Sequence, residues 1–250
     1  DPVHDALERR NIENVDGEWY RCTVDDVKAA IIEVREGRKN TENRTQSFKM
    51  RPEQQAAVEK TIAYYRSLNA DAPTRTPKFL WNAKMRFGKT FATYQLAKKM
   101  GFTRVLVLTF KPAVQTAWRE DLLTHIDFEG WQFIGRDNIN PQNSIDLQYQ
   151  NADKDRPIVC FGSFQDLLGV NRETGGIKSK NEWVHETNWE LVIFDEYHFG
   201  AWRENAKKLF EEADEAGRRV RCRPPTTVGE RAPSAGRRWH LARGHQRRAA

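Results

Sequence analysis

The sequence predicts an α/β fold, a mainly parallel sheet covered by helices with a short α/β appendage at the N-terminus. Three observations carry this prediction. The runs "RVLVLTF" (104–110), "PIVCFGSF" (157–164) and "WELVIFDEYH" (189–198) are near-continuous apolar strands, of the kind buried on both faces of a parallel sheet. Segments with helical spacing separate them, and strands alternating with helices favour parallel order. A length of 250 residues suffices for one sizeable core.

The elements follow in order. "VDDVKAAIIEVREG" (24–37) has Val24, Val27, Ile31, Ile32 and Val34 near helical spacing, acids in its first turn and Gly37 at its end. "RKNTENRTQS" (38–47) reads as a polar linker. "RPEQQAAVEKTIAYYRSL" (51–68) reads as a helix with Pro52 in its first turn, and 69–77 as a loop. "KFLWNA" is a short buried strand, and "KTFATYQLAKKM" (89–100) a helix closed by Gly101. After the strand at 104–110 come a helix around 113–125, a short extended "WQFIG", the strand at 157–164 and a short helix "QDLLG". The strand at 189–198 ends in acids, and an amphipathic helix is expected over 203–217.

Charge divides the chain. Residues 217–250 hold ten arginines, no lysine and one acid, Glu230, and so carry +9; the other 216 residues hold 31 Lys+Arg against 34 Asp+Glu. The net +6 therefore belongs to the tail, and the body shows no bulk electrostatic footprint for a polyanion. Three readings fit the tail: an Arg-rich arm for nucleic acid, an unstructured end, or non-native sequence. Its Arg/Ala/Pro/Gly bias, without Lys or Ile, favours the last, because it resembles GC-rich DNA translated in a wrong frame. Cys22, Cys160 and Cys222 are too scattered for a disulfide framework or a zinc site. No signal-peptide pattern stands at "DPVHDALERR", and no apolar run has bilayer length. A cytoplasmic location with no membrane partner is expected.

The chemistry concentrates in two stretches. "NAKMRFGKT" (82–90) fits [A/G]-x-x-x-x-G-K-[S/T], with Ala83 first, then Gly88, Lys89 and Thr90. A strand precedes it and a helix follows. In such a loop the amides of the turn and helix N-terminus face phosphates, glycine allows close approach, the lysine reaches the β/γ-phosphates and the threonine ligates Mg²⁺. The alternative is a solvated basic turn. The strand "LVIFDEYH" delivers Asp195 and Glu196 to its carboxyl end, the edge at which ligands of parallel sheets collect. An aspartate there can hold Mg²⁺, and the adjacent glutamate can orient or deprotonate water.

These motifs and their order resemble the first motor domain of superfamily 2 helicases and translocases of the DEAD/DEAH-like group, in particular the motor subunits of type III restriction enzymes. "RPEQ" (51–54) resembles the segment whose glutamine reads adenine, here Gln54, with Gln55 the competing residue by register. "AKMRFGKT" resembles motif I, "VLVLTFKPAV" (105–114) motif Ia, and "CFGSFQDL" (160–167) the next strand-contacting segment. "DEYH" stands where the family has DEAH or DEAD, with Tyr197 in place of alanine, and His198 resembles the residue that couples nucleotide site to motion. The resemblance implies a RecA-like fold over residues 46–216, with 1–45 an appendage and 217–250 a disordered or non-native tail.

It also implies ATP and Mg²⁺ as cofactors and DNA, double-stranded, as partner, alongside a second RecA-like domain and restriction-modification subunits. Lys89 and Glu196 would be catalytic, and Gln54, Ala83, Gly88, Lys89 and Thr90 would bind nucleotide. Thr90 and Asp195 would hold the metal, Thr109, Lys111 and Ser163 would contact nucleic acid, and His198 would couple the two. Phe110 and Trp118 are expected in the core or an interface, and Arg86 beside phosphate, at the second domain or in solvent. Residues 1–31 resemble the last part of a GIY-YIG-type nuclease domain, though the GIY and YIG strands are absent. Two rival readings are a nucleotide-gated DNA-binding module without motor action and a P-loop small-molecule kinase, which leaves "RPEQ" and "VLVLTFKPAV" unexplained.

Overall fold

The computed structural model describes residues 1–71, 77–167, 181–195 and 240–244. The appendage comes first. Helix α1 (Pro2–Arg9) is capped by the Asp1 carboxylate on the amide of Val3. A small antiparallel pair follows, β1 (Asn14–Asp16) and β2 (Trp19–Tyr20). Helix α2 (Val24–Glu36) opens with a capping box between Thr23 and Asp26 and stops at Gly37 in the left-handed region, as the sequence predicts. α1 packs on α2 through Ala6, Leu7 and Ala30, a small cluster separate from the main core.

The segment 38–47 departs from a plain linker, because it is bound along its length to the chain at 122–130. Arg38 pairs with Asp127 at 2.7 Å, the amide of Thr41 donates to Glu129 at 2.7 Å, and the amides of Thr45 and Gln46 donate to the carbonyl of Thr124. Arg44 is buried. Its guanidinium donates to the carbonyls of Leu122 and Phe128 and to Glu42, while Asn40 holds its amide at 2.7 Å. Polar composition suggested a solvated tether; instead the polar groups satisfy main-chain acceptors that would otherwise be buried unpaired.

Helix α3 (Pro52–Asp71) runs three residues beyond the expected 68. Strand β3 (Lys78–Asn82) leads into the glycine-lysine-threonine loop, and α4 (Lys89–Met100) leaves it, closed by left-handed Gly101. β4 (Arg104–Thr109) is followed by a 3-10 turn (Pro112–Val114) that runs into α5 (Gln115–Thr124). Then come β5 (Gln132–Ile134), α6 (Ile145–Asn151), β6 (Ile158–Ser163), the one-turn α7 (Phe164–Leu167), α8 (Glu182–Glu186) and β7 (Leu191–Phe194). The short helices α6 and α8 carry no strong sequence period, being seven and five residues long. The helix expected over 203–217 lies outside the described residues.

Six strands form one sheet in the order β3-β8-β7-β4-β6-β5, and every neighbouring pair is parallel. β8 (His240–Gly244) belongs to the Arg-rich segment, for which the sequence showed no strand period. It lies between β3 and β7, with Leu241 opposite Phe79 and Ile193. This slot accepts a strand through main-chain groups on both sides, so alternation of side chains is not what selects it. The rest of 217–250 lies outside the described residues.

β4, β6 and β7 are buried almost throughout, as their apolar runs require. The core joins them to Val58, Ile62 and Tyr65 of α3, Phe91 and Leu96 of α4, and Trp118 and Leu122 of α5. Because all strands are parallel, the segments that follow β3, β4, β5, β6 and β7 emerge at one edge of the sheet. Among the described residues, no helix is long and apolar enough to cross a membrane.

Candidate nucleotide site

The stretch 83–88 forms a tight loop between β3 and α4. The amide of Phe87 donates to the carbonyl of Lys84, Arg86 has φ 62°, and Gly88 has φ 71°. Met85 and Arg86 are exposed, so the bulky middle residues point away and leave the loop backbone to set its shape. Gly88 caps α4 with no side-chain hydrogen bond. A Cβ at this glycine would meet Gln54 Nε2 at 2.5 Å. The loop thus approaches α3 as closely as only glycine allows.

The "RPEQ" segment holds the loop from the other side. Gln54 is buried; its Nε2 donates to the carbonyls of Phe87 at 2.8 Å and Gly88 at 3.3 Å, and its Oε1 accepts from the amide of Arg51 at 2.8 Å. Arg51 adds bonds from Nη2 to the carbonyls of Arg86 at 3.0 Å and Phe87 at 2.6 Å. These loop-facing bonds of Arg51 were missed by the sequence reading, although the residue stood in the quoted motif. Gln55, the rival by register, is exposed and bonds Glu59. A cleft of about 440 Å³ opens beside the loop, lined by Arg51, Glu53, Ala57, Trp81 and residues 82–87.

Thr90 is buried in the first turn of α4, next to partly exposed Lys89, and Ala83 is buried at the start of the loop. Asp195 follows β7 directly and is 6% exposed. Its amide continues the sheet to the carbonyl of Leu108, and its Oδ2 accepts from Trp118 Nε1 at 2.9 Å. Two strand spacings, about 10 Å, separate the axes of β3 and β7, so loop and carboxylate stand at the same edge with one strand between. Glu196, Tyr197 and His198 lie outside the described residues.

The residues expected at nucleic acid occupy the next positions along this edge. Thr109 and Ser163 are register partners on β4 and β6. Thr109 is fully buried and its hydroxyl accepts from the amide of Lys111; Ser163 accepts from the amide of Asp166. Of the three, Lys111 alone is exposed. Phe110 stacks on Phe164 at 4.7 Å, and Trp118 is buried, so both belong to packing rather than to an open platform.

The donor set fits a polyphosphate. The first turn of a twelve-residue helix that no side chain caps, a glycine with no room for a side chain, and Lys89 and Thr90 meet at one helix N-terminus. Asp195 supplies a carboxylate suited to a hard cation beside it. Among the described residues, no group of three or more His, Cys, Asp and Glu could hold a metal ion.

Residues 47–218 match the family described as type III restriction enzyme, res subunit. The chain belongs to that family. The res-subunit match covers the whole loop-to-Asp195 region and bears out the superfamily 2 resemblance, with its RecA-like α/β fold and a helicase-like ATP-binding domain. It begins at residue 47, so the nuclease reading of the N-terminus gains no support. A putative type II restriction enzyme and methyltransferase of Mycoplasma pneumoniae (its C-terminus) is 35% identical over 168 residues, 66% of this chain and 22% of that protein. The chain thus spans about a fifth of that relative's length. Among solved structures, the SWI2/SNF2 ATPase core of Sulfolobus solfataricus in complex with dsDNA is 16% identical, with a TM-score of 0.44 over 79% of this chain and 32% of that one. The UvsW helicase from bacteriophage T4 is 14% identical, with a TM-score of 0.42 over 79% and 52%. Both likenesses are too loose to carry residue assignments.

Proposed function

We propose that this res-subunit domain binds Mg-ATP and, in the full-length protein, couples its hydrolysis to movement along double-stranded DNA during restriction. The observation that carries the reading is the loop at 83–88, closed by Gly88 beneath Gln54 at the N-terminus of α4. Lys89 would pair with the β/γ-phosphates, and the amides of the first turn of α4 would donate to phosphate oxygens. Gln54 would hold the loop in shape behind the adjoining cleft, where adenine would lie. Thr90 and Asp195 would hold Mg²⁺, which when bound supplies positive charge against the phosphates. Glu196 would orient or deprotonate the attacking water, and His198 would couple the site to the second RecA-like domain. Lys111, with Thr109 and Ser163 behind it, would meet the DNA backbone, whose phosphates call for a cation.

The test is a titration of Mg-ATP into the 250-residue chain and its Lys89→Ala variant, followed by turnover with saturating duplex DNA. The parent chain should bind, and Lys89→Ala should lose most of the affinity while keeping its fold. Turnover should be slow, because family motors complete the site with arginines from a second domain, a contribution on the order of 10³–10⁵ in rate where such an arginine has been measured. Equal affinity in parent and variant would remove the phosphate site. Rapid DNA-stimulated turnover by this chain alone would remove the claim that a second domain is required.

A further inference from the structure

Trp118 lies far in sequence from both site motifs, yet its indole Nε1 donates to Asp195 Oδ2 at 2.9 Å, a bond spanning 77 positions. The ring is 1% exposed, so this geometry is fixed by packing rather than by solvent. Tyr94, buried in α4, donates its hydroxyl to the main-chain carbonyl of Trp118 at 2.8 Å and meets the indole edge-on at 5.4 Å. Two hydrogen bonds therefore join the helix that leaves the phosphate loop, the helix α5, and the carboxylate after β7. α5 in turn follows the 3-10 turn that begins one residue after Lys111.

We propose that Trp118 is a positioning residue for Asp195, setting the rotamer in which this carboxylate meets a nucleotide-bound divalent cation. The proposal rests on the nucleotide reading above. A carboxylate on a turn after a strand can rotate about χ1 and χ2. A charge-assisted bond from a rigid, buried donor removes that freedom, and metal ligands are commonly held this way by groups behind them. Seven positions, through the 3-10 turn and the first turn of α5, separate Lys111 from Trp118. A shift of α5 at its exposed end thus has a direct route to Asp195.

The experiment compares the parent chain with Trp118→Phe, which keeps a buried aromatic ring and removes the donor together with part of the indole's volume. ATP affinity is measured with Mg²⁺ and with EDTA. We expect Trp118→Phe to weaken Mg-ATP binding by roughly tenfold, in the range for losing one hydrogen bond to a charged group, and to leave metal-free ATP binding unchanged. A purely structural tryptophan would weaken both alike, and that result overturns the proposal. Equal Mg-ATP affinity in the two chains overturns it as well, with the nucleotide site intact. No ATP binding by the parent overturns both readings together. Should Trp118→Phe not fold, indole ¹H–¹⁵N spectra of the parent decide. An indole signal that moves on Asp195→Asn substitution should also move when Mg-ATP is added, and not when ATP is added in EDTA. Failure of any indole signal to respond to both changes overturns the proposal.

Discussion

Gly88 answers two constraints at once. Its φ of 71° belongs to the left-handed region, and its Cα faces Gln54 with no room for a Cβ. Gly88→Ala should cost about 1–2 kcal/mol from the backbone alone, and Gln54 must also give up its place against the loop. Urea unfolding should register the loss of stability, and Mg-ATP affinity should fall with it; a variant as stable as the parent would mean that the loop relaxes freely. Asp127 is a second residue whose surroundings set its chemistry. Burial pushes its carboxyl up, but Arg38, Gln95 and Lys98 outweigh this and bring its pKa from 3.8 to about 2. A folded value below the unfolded one stabilises the protein above pH ~4, and that contribution disappears as pH falls towards 2. With the side chain a quarter exposed, it amounts to about 1–2 kcal/mol after solvent screening. His125 acts in the same direction at higher pH. Burial depresses its pKa, so its neutral ring donates to the carbonyl of Phe48 and accepts from the amide of Asp127, and acid must disturb this. Melting temperature should therefore fall on acidification. Asp127→Asn should flatten the part below pH ~4, and an unchanged slope there would clear Asp127 of that role.

At the scale of elements, the strap at 38–47 shows how a polar segment becomes part of a core. Arg44 is 2% exposed at its side chain and serves the carbonyls of Leu122 and Phe128 as well as Glu42. Arg44→Met keeps much of the apolar stem but leaves those acceptors without their donor, which should cost about 3 kcal/mol, the scale for breaking a buried charge pair from one side. Arg38→Met, at a partly exposed ion pair, should cost no more than about 1 kcal/mol. Comparable losses in the two variants, measured by denaturant unfolding, would contradict the distinction between them. The strap ties the appendage to the end of α5, the helix that carries Trp118.

Over the whole molecule, β8 is the feature with the largest reach. Among the described strands it is the neighbour that joins β3, and with it the loop at 83–88, to the β7-β4-β6-β5 set that carries Asp195. Composition alone argues that the Arg-rich tail is dispensable. The sheet argues otherwise, since removing β8 leaves the facing main-chain groups of β3 and β7 without their partners. Truncation after Gly217 should lower the melting temperature by about 5 °C or more and weaken Mg-ATP binding. An unchanged melting curve would show that the β3–β7 slot closes or fills without residues 240–244.

Where the physics is local, the amino-acid order is enough. Continuous apolar runs specify β4, β6 and β7, because strands covered on both faces have no polar side to alternate. Gly37 and Gly101 stop their helices through one residue's φ, and "GKT" after a strand specifies the turn into α4 through the left-handed φ of Gly88. The contacts decided by tertiary structure join residues far apart in the chain: Gln54 with Phe87 and Gly88, Arg44 with Leu122 and Phe128, Trp118 with Asp195. Nothing in the neighbourhood of Trp118 distinguishes a core indole from one whose N–H reaches the Asp195 carboxylate, since that depends on where another strand ends. The same holds for β8, whose five residues carry no strand signal. Its place follows from two parallel edges that offer main-chain hydrogen bonds, and those edges exist only once the sheet has formed.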